Sequence, residues 1–356
     1  MTSVQNKLLE NMLNDMQKQE EIYKPTTFWQ AASATIIKEL NDNRIENFRS
    51  LLYTRSMFVP NYAMPTYLDN TALFDKTKQE LLIATDDKKS NIKLERAMTG
   101  ETQAFSDYRV LKASNKDFAP YTDKVSESSV GNPIEQFCFD NRYFSRSFLN
   151  YLLGISFIKQ HISNPKINTV MEIGGGFGTL GEILLSDDRN DCFYINADIP
   201  PVSFVSSFYL KQVFSEDDVA DYEDLKYETI LNIDSLKKQK KAINITSWQV
   251  PKLKGEIDLF VNFISFQEME PEVVNNYCKY ITNLNPKYIL LRNIEEGKKV
   301  QSDDYIYGVK EPILGDDYDS FLSQYELIAT DNSIFGFKTE DNFHSQLRLY
   351  KKLDII

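Results

Sequence analysis

Between Ile173 and Thr179 stand four glycines, Gly174, Gly175, Gly176 and Gly178, with Phe177 among them. Glycine lacks the side chain that would block a sharp turn or a ligand's close approach to the backbone, and the N–H groups of a following helix start face that ligand. A tight turn needs one or two glycines, so four point to a bound molecule rather than to turn geometry alone. Glu172 precedes the loop on what reads as a strand. A second acid, Asp198, closes the apolar run 192–197 and comes twenty residues after Gly178. That is the interval at which nucleoside-binding sheets place a carboxylate against a ribose diol, and a carboxylate can accept both hydroxyl hydrogen bonds. Asp198 can also cap the segment that begins at Pro200-Pro201, and the two roles are compatible. The stretch Gly176-Phe177-Gly178-Thr179-Leu180-Gly181 matches G-x-G-x-x-G as well, so a nicotinamide dinucleotide, and with it an NAD-dependent oxidoreductase, stays open.

Such a loop works only at the edge of a sheet. From residue 165 onward, apolar runs at 169–173, 192–197, 242–246, 257–262 and 288–292 alternate with helical patterns, which predicts an α/β domain with a doubly wound parallel sheet over 165–356. The last two runs, 325–330 and 346–350, are separated by a polar loop without a helix, which predicts an antiparallel hairpin. The first part, 1–164, reads as a mainly helical accessory region that covers the substrate. Val4, Leu8, Leu9, Met12, Leu13 and Met16 form one helical stripe, and Phe28, Trp29, Ala32, Ile36, Ile37 and Leu40 a second. A third helix is expected over 143–161. Between 58 and 132 prolines and polar stretches obscure any periodicity.

Composition narrows the function. The chain of 356 residues has 40 Lys and Arg against 52 Asp and Glu, a net charge of −12, and is 42% hydrophobic, enough for a large packed core. Nucleic-acid or anionic-membrane binding needs clustered positive charge, and the only basic cluster, 237–241, reads as a solvated loop or helix end. No apolar run reaches membrane-spanning length and the first twenty residues carry charges throughout, so a cytoplasmic protein is expected. Three scattered cysteines and two histidines give no zinc-ligand spacing. A homo-oligomer is left open.

Glu172 before the loop, the G-x-G-x-G spacing of Gly174, Gly176 and Gly178, and the C-terminal hairpin together resemble the class I methyltransferases. The resemblance implies a Rossmann-like sheet and S-adenosylmethionine (SAM) as cofactor, with Glu172 supporting the loop and the methionine end and the glycines passing beneath the methionine and ribose. It implies further cofactor contacts at Gly175, Phe177, Ile199 and Asn262, and at Ser247 and Trp248, where that family meets adenine; an aromatic at a strand end can equally be core. More specifically, Tyr23-Lys24-Pro25-Thr26-Thr27-Phe28-Trp29, Asn47-Phe48-Arg49, Phe58-Val59-Pro60-Asn61-Tyr62, Gly131-Asn132-Pro133, Asp198-Ile199-Pro200-Pro201 and Ser265-Phe266-Gln267-Glu268-Met269 resemble the bacterial sugar O-methyltransferases. That resemblance spans nearly the whole chain and implies methyl transfer to a sugar hydroxyl, on a nucleotide-linked or surface-glycan precursor.

Methyl transfer from a sulfonium is an in-line displacement that needs alignment, exclusion of water and a base for the hydroxyl proton. His161 ends the helix that enters the sheet domain, a structural position. His344 is expected near the cleft, because a hairpin after a parallel strand turns at the carboxyl edge of the sheet; it is the first candidate base, against the bland reading of a hydrogen-bonded structural histidine. Glu268 and Glu270 are rivals that could also hold a divalent metal, although no compact ligand motif demands one. Gln267 and Glu270, after the strand at 257–262, are candidate substrate contacts or a solvated helix start. Arg49, Tyr62, Asn132 and Arg142 are further candidates, with packing or salt-bridge roles as the alternative. A non-catalytic module that keeps the cofactor fold is a separate class, and the intact glycines and Asp198 argue against it.

Overall fold

Thr169–Ile173 is buried along its whole length, and its neighbours Val170 and Met171 enter different apolar cores. A strand covered on both faces carries this near-continuous apolar pattern, because successive side chains point to opposite sides of the sheet. The computed structural model describes residues 1–58, 71–84, 87–338 and 342–353. In chain order its strands are β1 (Phe137–Phe139), β2 (Arg142–Phe144), β3 (Thr169–Ile173), β4 (Phe193–Asp198), β5 (Val219–Ala220), β6 (Leu231–Asn232), β7 (Ala242–Thr246), β8 (Leu253–Lys254), β9 (Leu259–Phe263), β10 (Tyr288–Ile294), β11 (Tyr325–Asp331), β12 (Phe337–Lys338) and β13 (His344–Lys352).

The main sheet runs β11-β13-β10-β9-β3-β4-β7-β5, with β12 added to β13. From β5 to β10 all neighbours are parallel. β13 runs antiparallel to both β10 and β11, so the returning strand of the expected hairpin is threaded between them. The Rossmann-like class I methyltransferase sheet expected from the sequence is therefore present. β3 and β7 begin and end where the apolar runs do, and the other expected strands differ at their ends by one or two residues. The two-residue β5, β6, β8 and β12 are too short to leave a pattern. Because β4 lies on one side of β3 and β9 on the other, the strand order reverses beside β3, and a crevice opens there at the carboxyl edge.

The N-terminal helices pack on this sheet. Ser3–Gln17 is capped reciprocally by Thr2 and Gln5 and buries Leu9, Met12 and Met16, while Val4 of the expected stripe is 76% exposed. Thr27–Asp42 buries Phe28, Ala32, Ile36 and Leu40. Arg146–His161 starts three residues later than its apolar pattern, because Tyr143 and Phe144 belong to β2 and the Ser145 hydroxyl caps the Phe148 N–H. Three helices occupy the region where no pattern was readable: Thr71–Ala84, Lys88–Met98 and Glu101–Ser114. The first two lie at the surface with Leu73, Ile83 and Ile92 exposed, so no clean apolar stripe marks them, whereas the third buries Ala104, Tyr108 and Leu111 along one face. One core joins the N-terminal helices to a face of the sheet, and a second lies under Pro271–Asn283 on the other face. No helix among the described residues is long and apolar enough to cross a membrane.

Candidate functional site

The glycine loop leaves β3 into the crevice. Gly174 and Gly176 have φ of +70° and +57°, a region where side chains are strained. A Cβ on Gly174 would strike the Ser265 side chain, whereas one on Gly176 meets nothing within 4 Å and would project into open space. The loop thus presents bare backbone to a cleft enclosing about 1100 Å³ including its open mouth. That is ample for a nucleoside-sized ligand.

Two acids, Glu172 buried and Asp198 half-buried, stand below and beside the loop. Glu172 accepts hydrogen bonds from the hydroxyls of Tyr151 (3.0 Å) and Tyr194 (2.6 Å), and its Oε2 lies 2.6 Å from where a Gly175 Cβ would be. Burial pushes its carboxyl up to about 7, against the lowering effect of both hydroxyls. Asp198, at the end of β4, lines the cleft and accepts from the N–H of Ile199 at 2.7 Å and of Gly176 at 3.2 Å. Desolvation pushes it up to about 8; the two backbone bonds oppose this, and Glu172 and Glu268 add to it.

On the far side of the loop, β9 ends in a strained turn. Ile264 has φ +74°, costly for a β-branched residue by about 1–3 kcal/mol, and the turn is held by Asn262. Asn262 Nδ2 donates to the Ile173 carbonyl (2.8 Å) and to Ser265 Oγ (2.5 Å), and its Oδ1 accepts from the Phe266 N–H (3.1 Å). This arrangement seats Ser265 against Gly174.

The roof comes from the N-terminal region. Lys24, Pro25, Thr26 and Trp29 line the cleft, as do Met57 and Phe58. They are tied down across the sheet edge: Ser247 Oγ donates to the Tyr23 carbonyl (2.6 Å), Thr26 Oγ1 to the Glu268 carbonyl (2.9 Å) and Trp29 Nε1 to Glu268 Oε2 (3.1 Å). Lys298 Nζ lies 3.2 Å from the other Glu268 oxygen, so this carboxylate faces the cleft with a cation at its back.

No family model matches the chain, and no curated protein matches it. Among solved structures, it is similar to magnesium protoporphyrin IX methyltransferase from Synechocystis PCC 6803 with bound SAM, at 10% identity over 57% of this chain and 79% of that one, TM-score 0.36. It is also similar to 1,6-didemethyltoxoflavin-N1-methyltransferase from Burkholderia thailandensis with bound 1,6-didemethyltoxoflavin and S-adenosylhomocysteine, at 13% identity over 58% and 79%, TM-score 0.37. At these values the likenesses concern shape, and no residue role is taken from them.

Of the residues expected at the site, the structure gathers Gly174, Gly175, Gly176, Phe177, Asp198, Ile199, Ser247 and Glu268 on the cleft wall, with Glu172 directly beneath. Gly178 starts the helix Thr179–Leu185 behind the loop. Several expectations are corrected. Trp248 is buried edge-on against Tyr222, with ring centroids 5.8 Å apart, and Val250 of the same turn faces the cleft in its place. Asn262 lies behind the wall, occupied by the turn it holds. Gln267 Oε1 accepts from the Ile294 N–H (2.7 Å), and the Glu270 carboxylate accepts from the N–H groups of Lys310 (3.2 Å) and Glu311 (3.1 Å), and neither side chain lines the cleft.

His344 does stand at the carboxyl edge of the sheet, but outside the cleft wall: its Nδ1 is hydrogen-bonded to Glu296 and lies 3.9 Å from Glu295. One donor atom from each of these three lies within 4.8 Å of the others, at a partly exposed rim. His161 ends its helix with the ring edge-on to Phe157. Arg49 is buried and ion-paired with Glu127. Asn132 is exposed, its side chain 3.4 Å from that of Asn47, and Arg142 donates to the Val125 carbonyl (3.2 Å) and Tyr108 (3.1 Å), so neither lines the cleft. Tyr62 lies outside the described residues. Sequence reasoning missed Tyr151, Tyr277, Lys298 and Arg292. Tyr151 sits on a helix buried almost all round and Tyr277 on an amphipathic one, where an aromatic reads as core, and the cleft-lining Arg292 looks like the end of an apolar strand.

Proposed function

We propose that the protein is a SAM-dependent methyltransferase that transfers a methyl group to a hydroxyl of a sugar, on a nucleotide-linked or glycan precursor. The observation that carries the cofactor is the open space above Gly176 beside the Asp198 carboxylate, at the reversal of strand order. A side chain at Gly176 would fill this cradle, so the residues fit an adenosyl ligand. When bound, SAM supplies an electrophilic methyl on a sulfonium.

Asp198 accepts the ribose hydroxyls, and Ile199, Val202 and Val250 form an apolar slot for the base. Glu172 keeps the loop in place through its two tyrosines. The Lys24–Trp29 roof excludes water, which strengthens every polar contact beneath it. Glu268, which lines the cleft and is ion-paired with Lys298, is the acceptor best placed for the substrate hydroxyl and its proton. The sugar reading is supported by the sequence resemblance and by the mixture of aromatic and hydrogen-bonding groups lining the cleft, among them Trp29, Tyr151, Ser147, Asn150 and Thr26.

Thermal unfolding with SAM, S-adenosylhomocysteine or NAD tests the cofactor, since a ligand that binds only the folded state raises its melting temperature. A shift with NAD alone overturns the proposal in favour of an oxidoreductase. Mass spectrometry of nucleotide sugars and glycan precursors incubated with enzyme and SAM then tests the substrate, through the gain of one CH₂.

A further inference from the structure

Behind the glycine loop lies a cluster of ionisable side chains that the proposed chemistry does not use. Arg49 is ion-paired with Glu127 and donates from Nη1 to the Ser128 carbonyl at 2.9 Å. Glu127 also accepts from the Ser145 hydroxyl at 2.9 Å. Glu182, on the helix that follows the loop, accepts from the Tyr209 hydroxyl at 2.6 Å and from the Ser128 N–H at 2.7 Å. Ser128 is therefore shared: its carbonyl holds Arg49 and its N–H holds Glu182. In the middle of this frame sits Phe177 of the loop, with the Arg49 guanidinium 5.2 Å from its ring centre and the Tyr209 ring 4.8 Å away.

The groups that face Glu182 are Glu127, Tyr209 and Arg49; Glu135, ion-paired with Arg146, stands beside Glu127. Arg49, Glu127 and Glu182 are all at most 4% exposed. Two buried carboxyls with one guanidinium are neutral as a set only while one carboxyl keeps its proton.

We infer that Arg49 and Glu182 are positioning residues that clamp Phe177, so that the N-terminal region and the cofactor loop are held in one pose by a shared set of charges. The inference rests on reading that loop as the cofactor wall. Burial, and then the neighbouring Glu127, pushes the Glu182 carboxyl up to about 7. Below that pH the clamp is neutral; above it, an excess negative charge loosens it.

The test is amide hydrogen exchange at residues 175–179 in the free protein. If opening the loop returns Glu182 to an ordinary carboxyl, protection relative to intrinsic exchange falls about tenfold between about pH 6 and 8 in the wild type. Glu182→Gln mimics the protonated group and makes that fall clearly smaller than in the wild type, what remains being the part that Asp198 and Glu172 contribute. Arg49→Lys keeps the charge but loses the planar fork over Phe177, and lowers protection throughout. Should Glu182→Gln fail to fold, Tyr209→Phe removes one donor to the ionised carboxylate and moves the wild-type midpoint to higher pH. Protection that is independent of pH in the wild type, or that falls in Glu182→Gln as in the wild type, overturns the clamp. Calorimetry with S-adenosylhomocysteine on the wild type separates the two ideas: absence of binding refutes the cofactor reading alone, while binding beside a pH-insensitive loop refutes the clamp alone.

Discussion

The Asp198 carboxylate accepts the Gly176 N–H at 3.2 Å, so the acid at the end of β4 and the middle of the glycine loop hold one another across the cleft floor. A single residue thereby shapes the loop and keeps the acceptor capacity that the proposed ribose diol would use.

Asp198→Ala is expected to weaken S-adenosylhomocysteine binding by about 1.5–3 kcal/mol, roughly ten- to a hundredfold, the usual worth of hydrogen bonds to a charged group. Isothermal calorimetry measures it. Unchanged affinity would remove Asp198 from the ribose role.

Gly176→Ala places a methyl group in the space above the loop and forces an alanine to φ +57°, at about 1–2 kcal/mol of strain. Ligand affinity should fall by at least tenfold while the melting temperature drops only a few degrees. The reverse pattern, stability lost and affinity kept, would mean that the loop is a turn and nothing more.

Glu172, Glu182 and Asp198 share a direction of shift, pushed by burial up to about 7, 7 and 8. Each binds its proton more tightly folded than unfolded, so the contribution of these three groups to stability is fully present below the ordinary carboxyl range and is lost as pH rises through the folded values. The free protein should melt lower at about pH 8 than at about pH 6, and Glu172→Gln should flatten that slope. Ligand affinity runs the other way: an ionised Asp198 is the better acceptor, so binding should tighten as pH approaches about 8 and release a proton below it. Calorimetry in buffers of different ionisation enthalpy would detect that proton.

Trp29 holds the roof to Glu268, and Trp29→Ala should raise the KM for the acceptor several-fold with cofactor affinity nearly unchanged. His344→Ala, by contrast, should leave turnover close to wild type, because the imidazole is engaged with Glu296 at the rim. A loss of turnover beyond about tenfold would return His344 to the catalytic centre.

Legibility in the sequence followed burial. β3 and β7 are buried throughout, and their apolar runs mark them to the residue. Thr71–Ala84 and Lys88–Met98 touch the rest of the molecule along one narrow side, so nothing in their composition sets them apart from loops. At the site, backbone requirements left the clearest trace: glycines where only glycine fits, and an acid at the interval imposed by the helix and strand that follow the loop. Side-chain direction left none. Gln267, Glu270 and Asn262 stand at the carboxyl edge as their position in the chain predicts, yet each is spent on a backbone partner contributed by a distant segment. Trp248 turned to Tyr222 for the same reason, since a residue at a strand end can face either the cleft or the core.

The threading of β13 between β10 and β11 has a consequence for biosynthesis. A nascent chain that has emerged only as far as residue 343 owns two open strand edges, one on either side of a gap in its own sheet, each with unpaired N–H and C=O groups. The gap closes only once His344–Lys352 has been synthesised, so a chain lacking that stretch would keep both edges open to association with other chains.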